Sequence, residues 1–129
     1  MDKSAILKGF NNQFEEFVED ICILFPNNKD IKTTKTALGM MRSANPRMIC
    51  DVWYRYIYLK YEKEISEGNI EYFLTKDYSD DLQNAQTSNK ALEAIEKLRQ
   101  PLRELRDENK TKCLQYLNNL NQLSKIYFN

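Results

Sequence analysis

The stretch ANPRMICDVWYRYIYLKYEKEI, residues Ala44–Ile65, decides the fold of this chain. It opens with two residues that favour a helix start, since Asn45 is a good N-cap and Pro46 suits the first helical turn. Apolar residues then occupy most of the helix circumference, and Gly68 stands just past the expected end, where helices commonly have glycine. A helix that is apolar on most sides usually lies at the centre of a fold. The stretch therefore predicts a central helix that carries the single tryptophan, Trp53.

The segment before this stretch predicts two further helices. In the first, apolar residues recur at steps of three and four, as on one face of a helix. These residues are Ile6, Leu7, Phe10, Phe14, Phe17, Val18, Ile21, Leu24 and Phe25. Pro26 ends this helix, and Asn27 or Asn28 can cap a second one over about Lys29–Ser43. We expect the phenylalanine stripe to pack against the helix that bears Trp53.

The segment after the central helix predicts a short helical turn, a polar connection and a long helical region. Asn69 can cap the short turn. Residues 77–88 are acidic and polar, and we expect an exposed loop there. Apolar residues, most of them leucines, then recur at helical spacing from Leu92 to Tyr127, with Pro101 inside the pattern. One long helix kinked at Pro101 fits this region, and so does a hairpin that turns near Asp107–Lys110, which we favour.

Length and composition place the chain in the all-α class. Its 129 residues suit one domain, and 42% hydrophobic residues are enough for a core. With only 3 glycines and 3 prolines, the chain lacks the turn residues that a β-sandwich needs. We therefore expect a single domain over residues 1–129, built as a bundle of four to six helices with a kinked or hairpin C-terminal segment.

The same inventory argues against an enzyme, a cofactor site and a metal site. The chain has no histidine, and its 3 cysteines include no CxxC pair, so histidine-based nucleophilic catalysis and Cys/His zinc binding are unsupported. No glycine-rich phosphate loop occurs. Asp77, Asp80 and Asp81 lack the spacing of a calcium loop and indicate a solvated acidic segment. We expect free thiols in a reducing compartment, no secretory signal, no membrane span and no small-molecule substrate.

The charges balance overall but alternate along the chain. The 19 basic and 19 acidic residues give a formal net charge of zero, which is unusual for a dedicated nucleic-acid binder. Two basic stripes nevertheless follow helical spacing. They are Lys29, Lys32, Lys35 and Arg42 in the second helix, and Arg99, Arg103, Arg106 and Lys110 near the C-terminus. Either neighbouring helices attract each other through these charges, or a phosphate backbone lies across them.

The tyrosines of the central helix allow a similar choice. Tyr54, Tyr58 and Arg55 fall partly outside its main apolar face. Exposed aromatic residues beside basic ones can stack the bases of a single strand. Tyrosine is also common at protein interfaces, where its apolar ring and polar hydroxyl both find use, and we favour this role. We expect Tyr54, Tyr58, Tyr61, Tyr72 and Tyr78 to lie nearest the surface.

Two segments, Phe10–Leu38 and Ala44–Leu82, resemble a family of short proteins that recurs in giant nucleocytoplasmic large DNA viruses. The motifs FPNNKDIKT, NP…WY and GNIEYFLTKDYSDDL carry the resemblance. It implies a viral source and a reducing host compartment, and the family supplies no assigned activity. The resemblance is compatible with a role in virion assembly or in a viral replication or transcription factory.

Two functional hypotheses follow. In the first, the chain is a non-enzymatic structural or interaction protein of a large DNA virus, such as a minor virion component. It would offer a Tyr/Arg-lined helical surface to a protein partner or to a second copy, in the virion or the host cytoplasm. In the alternative, it is an accessory nucleic-acid-binding protein that uses the two basic stripes.

Overall fold

The computed structural model describes residues 2–75 and 90–129, and these residues form six helices and no strand. Four helices are regular: α1 (Lys3–Leu24), α2 (Lys29–Ala44), α5 (Lys90–Leu102) and α6 (Asp107–Phe128). The central helix α3 runs without a break through Met48–Trp53, Tyr54–Tyr58 and Leu59–Ser66. A short helix, α4 (Ile70–Thr75), follows it. The predicted all-α fold is confirmed, and the expected 77–88 loop lies outside the described residues.

The structure confirms the caps predicted for α2 and α4 and the glycine after α3, but not the cap predicted for the start of α3. Asn28 Oδ1 accepts a hydrogen bond of 3.2 Å from the Ile31 amide at the start of α2. Asn69 caps α4 in the same way. The expected N-cap of the central helix at Asn45 is wrong in position, because α3 begins at Met48 after an Arg47 that makes no side-chain cap. Asn45 instead ends α2, and its Oδ1 accepts a hydrogen bond from the Arg47 amide in the intervening turn. Gly68 ends α3 with a φ of 82°, a left-handed conformation that favours glycine.

The centre of the core is the indole of Trp53, which is 1% exposed. Phe10 and Phe14 of α1 present their rings to the indole edge-on, at centroid distances of 6.4 and 5.9 Å. Edge-to-face contacts of this kind suit the charge distribution of aromatic rings. The expected packing of the phenylalanine stripe against the Trp53 helix is therefore confirmed. One continuous cluster of buried residues draws on all six helices.

The middle of α3 is a π-helical turn, Tyr54–Tyr58, in which the Leu59 amide bonds to the Tyr54 carbonyl five residues back. This wider turn places one additional residue in the helix. Ile57, Tyr61 and Ile65 consequently face the core below Trp53. The expectation that Tyr61 lies near the surface is wrong, because its side chain is 3% exposed.

Residues 103–106 separate α5 from α6, so the C-terminal segment is two helices rather than one. Pro101 cannot donate a backbone hydrogen bond, and α5 ends one residue later. The amides of Arg103, Glu104 and Leu105 then bond three residues back, as in a tight turn. The turn expected near Asp107–Lys110 is wrong in position, since those residues form the first turn of α6.

The two C-terminal helices pack against different neighbours. Helix α5 lies mainly against α2 and α3, whereas α6 packs against α1 and α3 to the same extent. The bundle is therefore organised around α3, with α1 and α6 paired along their lengths. Within the described residues, 2–75 and 90–129, no helix combines the length and apolar character needed to cross a bilayer.

Candidate functional site

Four aromatic rings, from Tyr54, Tyr58, Tyr127 and Phe128, form a continuous half-buried patch that we call the aromatic surface. Tyr54 stacks on Tyr58 at 5.4 Å and on Phe128 at 4.7 Å, measured between ring centroids. Tyr127 meets Phe128 edge-on at 5.0 Å. The π turn supplies two of these rings and the end of α6 supplies the other two. The structure thus joins Tyr54 and Tyr58, both predicted contact residues, to the rings of Tyr127 and Phe128, which no pattern in the sequence marks as contact residues.

Cations lie next to the aromatic surface. Arg47 Cζ is 5.8 Å from the Tyr127 ring centroid, and Lys3 Nζ is 5.9 Å from it. These distances are within the range of cation–π attraction. Arg55, the third predicted contact residue of this helix, is largely exposed and pairs with Asp51 at 3.1 Å. The patch therefore combines flat apolar rings, phenolic hydroxyls and guanidinium groups, which are the groups enriched where proteins bind other proteins.

The first predicted basic stripe contacts the acidic face of α1. Lys35 pairs with Glu19, and Arg42 Nη1 lies 2.8 Å from Glu15 Oε1. Arg42 also donates to Asn12 Oδ1 at 3.0 Å. The other two members, Lys29 and Lys32, are exposed. Half of this stripe thus links α2 to α1, as expected if neighbouring helices attract each other through their charges.

Arg99 of the second stripe is buried, so its assignment as a surface contact is wrong. Its side chain is 2% exposed and forms two hydrogen bonds to Glu96, with Nε donating at 2.8 Å. Its Nη1 donates to the carbonyl oxygen of Leu74 at 2.5 Å. The carbonyls that end a helix lack partners within that helix, and a cation stabilises the negative end of the helix dipole. Arg99 therefore closes the C-terminus of α4.

The rest of the second stripe is also partly engaged with α4. Arg103 is exposed, but its Nε donates to the same Leu74 carbonyl at 2.6 Å. Lys110 pairs with Glu71. Arg106 remains exposed. The stripe is not one helical face, because it runs from α5 through the connecting turn into α6. Three of its four residues nevertheless contact α4, which residue spacing cannot reveal.

A polar cluster lies where α6 meets the end of α1. The Tyr116 hydroxyl donates to Asp20 Oδ2 at 2.5 Å, and Lys112 Nζ lies 3.2 Å from the same oxygen. The Tyr116 hydrogen bond lowers the pKa of Asp20 below its usual range, although partial burial acts in the opposite direction. Burial and this hydrogen bond raise the pKa of Tyr116. The cluster joins two helices and leaves Asp20 ionised at neutral pH.

The thiols have the properties of buried structural groups. Burial raises the pKa of Cys50 and of Cys113 to about 12 in each case, and also raises the pKa of Cys22. A thiol is nucleophilic as the thiolate, so these environments suppress reactivity. Across residues 2–75 and 90–129, no group of three or more Cys, Asp or Glu side chains is arranged to hold a metal ion.

No family model, no curated protein and no solved structure matches this chain. Conclusions about its function consequently depend on the geometry of its own side chains. Among the predicted contact residues, that geometry brings Tyr54 and Tyr58 into one surface and assigns several of the cations to contacts between helices.

Proposed function

We propose that this chain is a non-enzymatic interaction protein that binds a protein partner, or a second copy of itself, through the aromatic surface. The supporting observation is the stack of Tyr58, Tyr54 and Phe128, flanked by Arg47. Rigid aromatic rings provide a large contact area at a small cost in side-chain entropy. Tyrosine and arginine are also the side chains that most often dominate binding energy at interfaces.

The resemblance to a family of giant-virus proteins extends this proposal to a biological setting. The chain would act in the virion, as a minor component, or in the cytoplasm of the infected host. Free thiols at Cys22, Cys50 and Cys113 are compatible with a reducing compartment. Proteomics of purified particles and of infected cells, with this chain tagged, tests the setting. Absence from particles together with a monomer that co-purifies with nothing would contradict it.

The surface itself is tested by the double variant Tyr54→Ser/Tyr58→Ser. If the chain binds itself, we expect the variant to have an at least tenfold weaker self-association constant in sedimentation equilibrium. If the tagged wild-type chain identifies a protein partner, we expect the variant to bind that partner at least tenfold more weakly. Tyr72→Ser is the matched control, because Tyr72 is 41% exposed and lies outside the aromatic surface. Equal loss in both variants would show that binding does not depend on this patch.

Nucleic-acid binding remains the second candidate, because single-strand binders also place bases on aromatic rings beside cations. It predicts affinity that falls steeply with salt concentration. Lys32→Glu and Arg106→Glu are suitable variants, since both side chains are exposed, whereas Arg99 and Arg103 contact α4. If the wild-type chain retains no single-stranded DNA or RNA at low salt, this candidate is rejected and the protein-partner proposal stands.

A further inference from the structure

A cavity of about 320 Å³ lies between α1 and α2, with one wall from α3. Its floor is apolar and consists of Phe14, Val18, Leu38 and Ile49. Ligand pockets in proteins start at roughly 300 Å³, and an apolar cavity of about 150 Å³ already accepts benzene. The α1–α2 cavity therefore has room for a molecule with one or two rings.

One residue that lines this cavity, Asn11, has a buried side-chain oxygen without a hydrogen-bond partner among the residues that the structure describes. Asn11 is 2% exposed and lines the cavity. Its Nδ2 donates to the carbonyl oxygen of Pro46 at 2.9 Å, which fixes the orientation of the amide, because the opposite orientation would set two oxygens against each other. Within the described residues, Asn11 Oδ1 accepts no hydrogen bond. A buried acceptor of this kind favours a ligand that brings a donor.

Arg42 lines the α1–α2 cavity together with Asn11, and both residues also line a second, more open cavity. Asn11 Oδ1 exposes almost no surface as the side chains stand, so an incoming ligand reaches it only after a neighbouring side chain shifts. The Arg42 side chain is 26% exposed and is held by Glu15 and Asn12 at the surface. Surface ion pairs are weak, which makes Arg42 the side chain suited to that shift.

The rim of the cavity carries balanced charge, and its α2 side includes a glycine. Glu15 and Glu19 are matched there by Arg42 and Lys35. Among the described residues, each charged side chain at the rim is therefore already paired, so the cavity offers no free charge to bind an ionic ligand. Gly39 also lines the cavity, and a Cβ atom at that position would meet nothing within 4 Å.

We propose that the α1–α2 cavity binds a small neutral molecule with an apolar body of one or two rings and a single N–H or O–H donor. The rings lie against Phe14, Val18 and Leu38, and the donor bonds to Asn11 Oδ1. This ligand site is separate from the aromatic surface, so it holds or fails independently of the proposed interaction function.

Indole and benzofuran form the test pair, since they share a shape and differ in the N–H donor. Titration of the intact chain by calorimetry or by ¹⁵N chemical shifts should show indole binding at least tenfold tighter than benzofuran. The largest shifts should fall on the residues that line the cavity. Gly39→Leu adds a large side chain to the lining at a position where a Cβ atom meets nothing within 4 Å, and leucine is favourable to a helix, so we expect it to abolish indole binding. Met40→Leu is the matched control, because Met40 is exposed on the same helix and does not line the cavity.

Three outcomes would overturn the proposal. Equal affinity for indole and benzofuran would show that Asn11 takes no part. If neither compound binds up to its solubility limit, the cavity does not take ring ligands and only a water molecule bonds to Asn11 Oδ1. Retention of indole binding in folded Gly39→Leu, checked by circular dichroism, would place the ligand elsewhere.

Discussion

The indole Nε1 of Trp53 donates a hydrogen bond of 2.8 Å to Oδ1 of Asn121, and both side chains are at least 97% buried. This bond joins the central helix α3 to α6 through the middle of the core. Apolar packing does not depend on orientation, whereas a hydrogen bond from a buried indole N–H does. The bond therefore fixes how the two helices are oriented at this contact. Ser124 extends the arrangement, since its hydroxyl donates to the Asn121 carbonyl at 2.9 Å.

Asn121→Leu should lower the free energy of unfolding by about 2 kcal/mol, because it leaves the Trp53 N–H buried without an acceptor. Urea unfolding followed by the fluorescence of this single tryptophan measures the change. Asn119→Leu is the matched control, since Asn119 lies exposed on the same helix and the exchange has the same effect on helix propensity. A loss in the control as large as that in Asn121→Leu would contradict the proposed role of the hydrogen bond.

Arg99→Met should lower the free energy of unfolding by about 3 kcal/mol, since it leaves Glu96 without its buried partner and removes a donor from the Leu74 carbonyl. Thermal or urea unfolding is the measurement. Lys97→Met, at an exposed position of α5, should change the stability by less than about 0.5 kcal/mol.

The double variant Glu96→Leu/Arg99→Met separates the two contributions. Removal of both charges eliminates the unpaired carboxylate, so we expect part of the lost stability to return. The part that does not return reports the contact of Arg99 with the end of α4. No recovery in the double variant would show that Glu96 is adequately solvated without Arg99.

Tyr116→Phe should reduce the free energy of unfolding at pH 7 by about 1 kcal/mol and should have a smaller effect in acid. The native pKa of Asp20 lies below its unfolded value near 3.9, so its contribution is complete above that value and is lost as the pH falls through the native pKa. Urea unfolding at pH 7 and near pH 3 provides the comparison. Tyr72→Phe is the control, and a difference between wild type and Tyr116→Phe that does not shrink in acid would refute the coupling.

Thiol modification at pH 8 should proceed in a fixed order, with Cys22 first and with Cys50 and Cys113 protected. A pKa of about 12 leaves only about one thiolate in ten thousand at that pH. Cys22 is half-buried, and burial raises its pKa less strongly. Mass spectrometry after brief iodoacetamide treatment, with and without urea, measures the order. Early labelling of Cys113 in the absence of urea would indicate local opening of α6.

The helices and their ends could be predicted from the sequence because local signals specify them. The apolar stripe of α1 shows which residues face Trp53. The caps at Asn28 and Asn69 and the left-handed Gly68 depend only on neighbouring residues, and each was found where expected. Hydrophobic periodicity and capping chemistry are short-range features, so a single sequence displays them.

Features that depend on contacts between helices could not be predicted in the same way. Arg99 has the spacing of a surface stripe, and only the position of α4 shows that its guanidinium is buried. Phe128 and Tyr127 belong to the aromatic surface because α6 ends beside the π turn. The α1–α2 cavity likewise arises from the separation of two helices, to which no residue pattern corresponds.

The π turn of α3 makes the position of a deletion in this helix decisive. The turn holds one residue more than an α-helical turn, so the loss of one residue between Tyr54 and Tyr58 would let a regular α-helix form there and would keep Tyr61 and Ile65 directed into the interior. Each residue of an α-helix rotates the chain by about 100°, so a deletion just after the turn, within residues 59–61, would instead swing everything that follows by that angle and move Ile65 out of the interior. Point exchanges at the exposed Arg55 would leave the orientation of both halves unchanged.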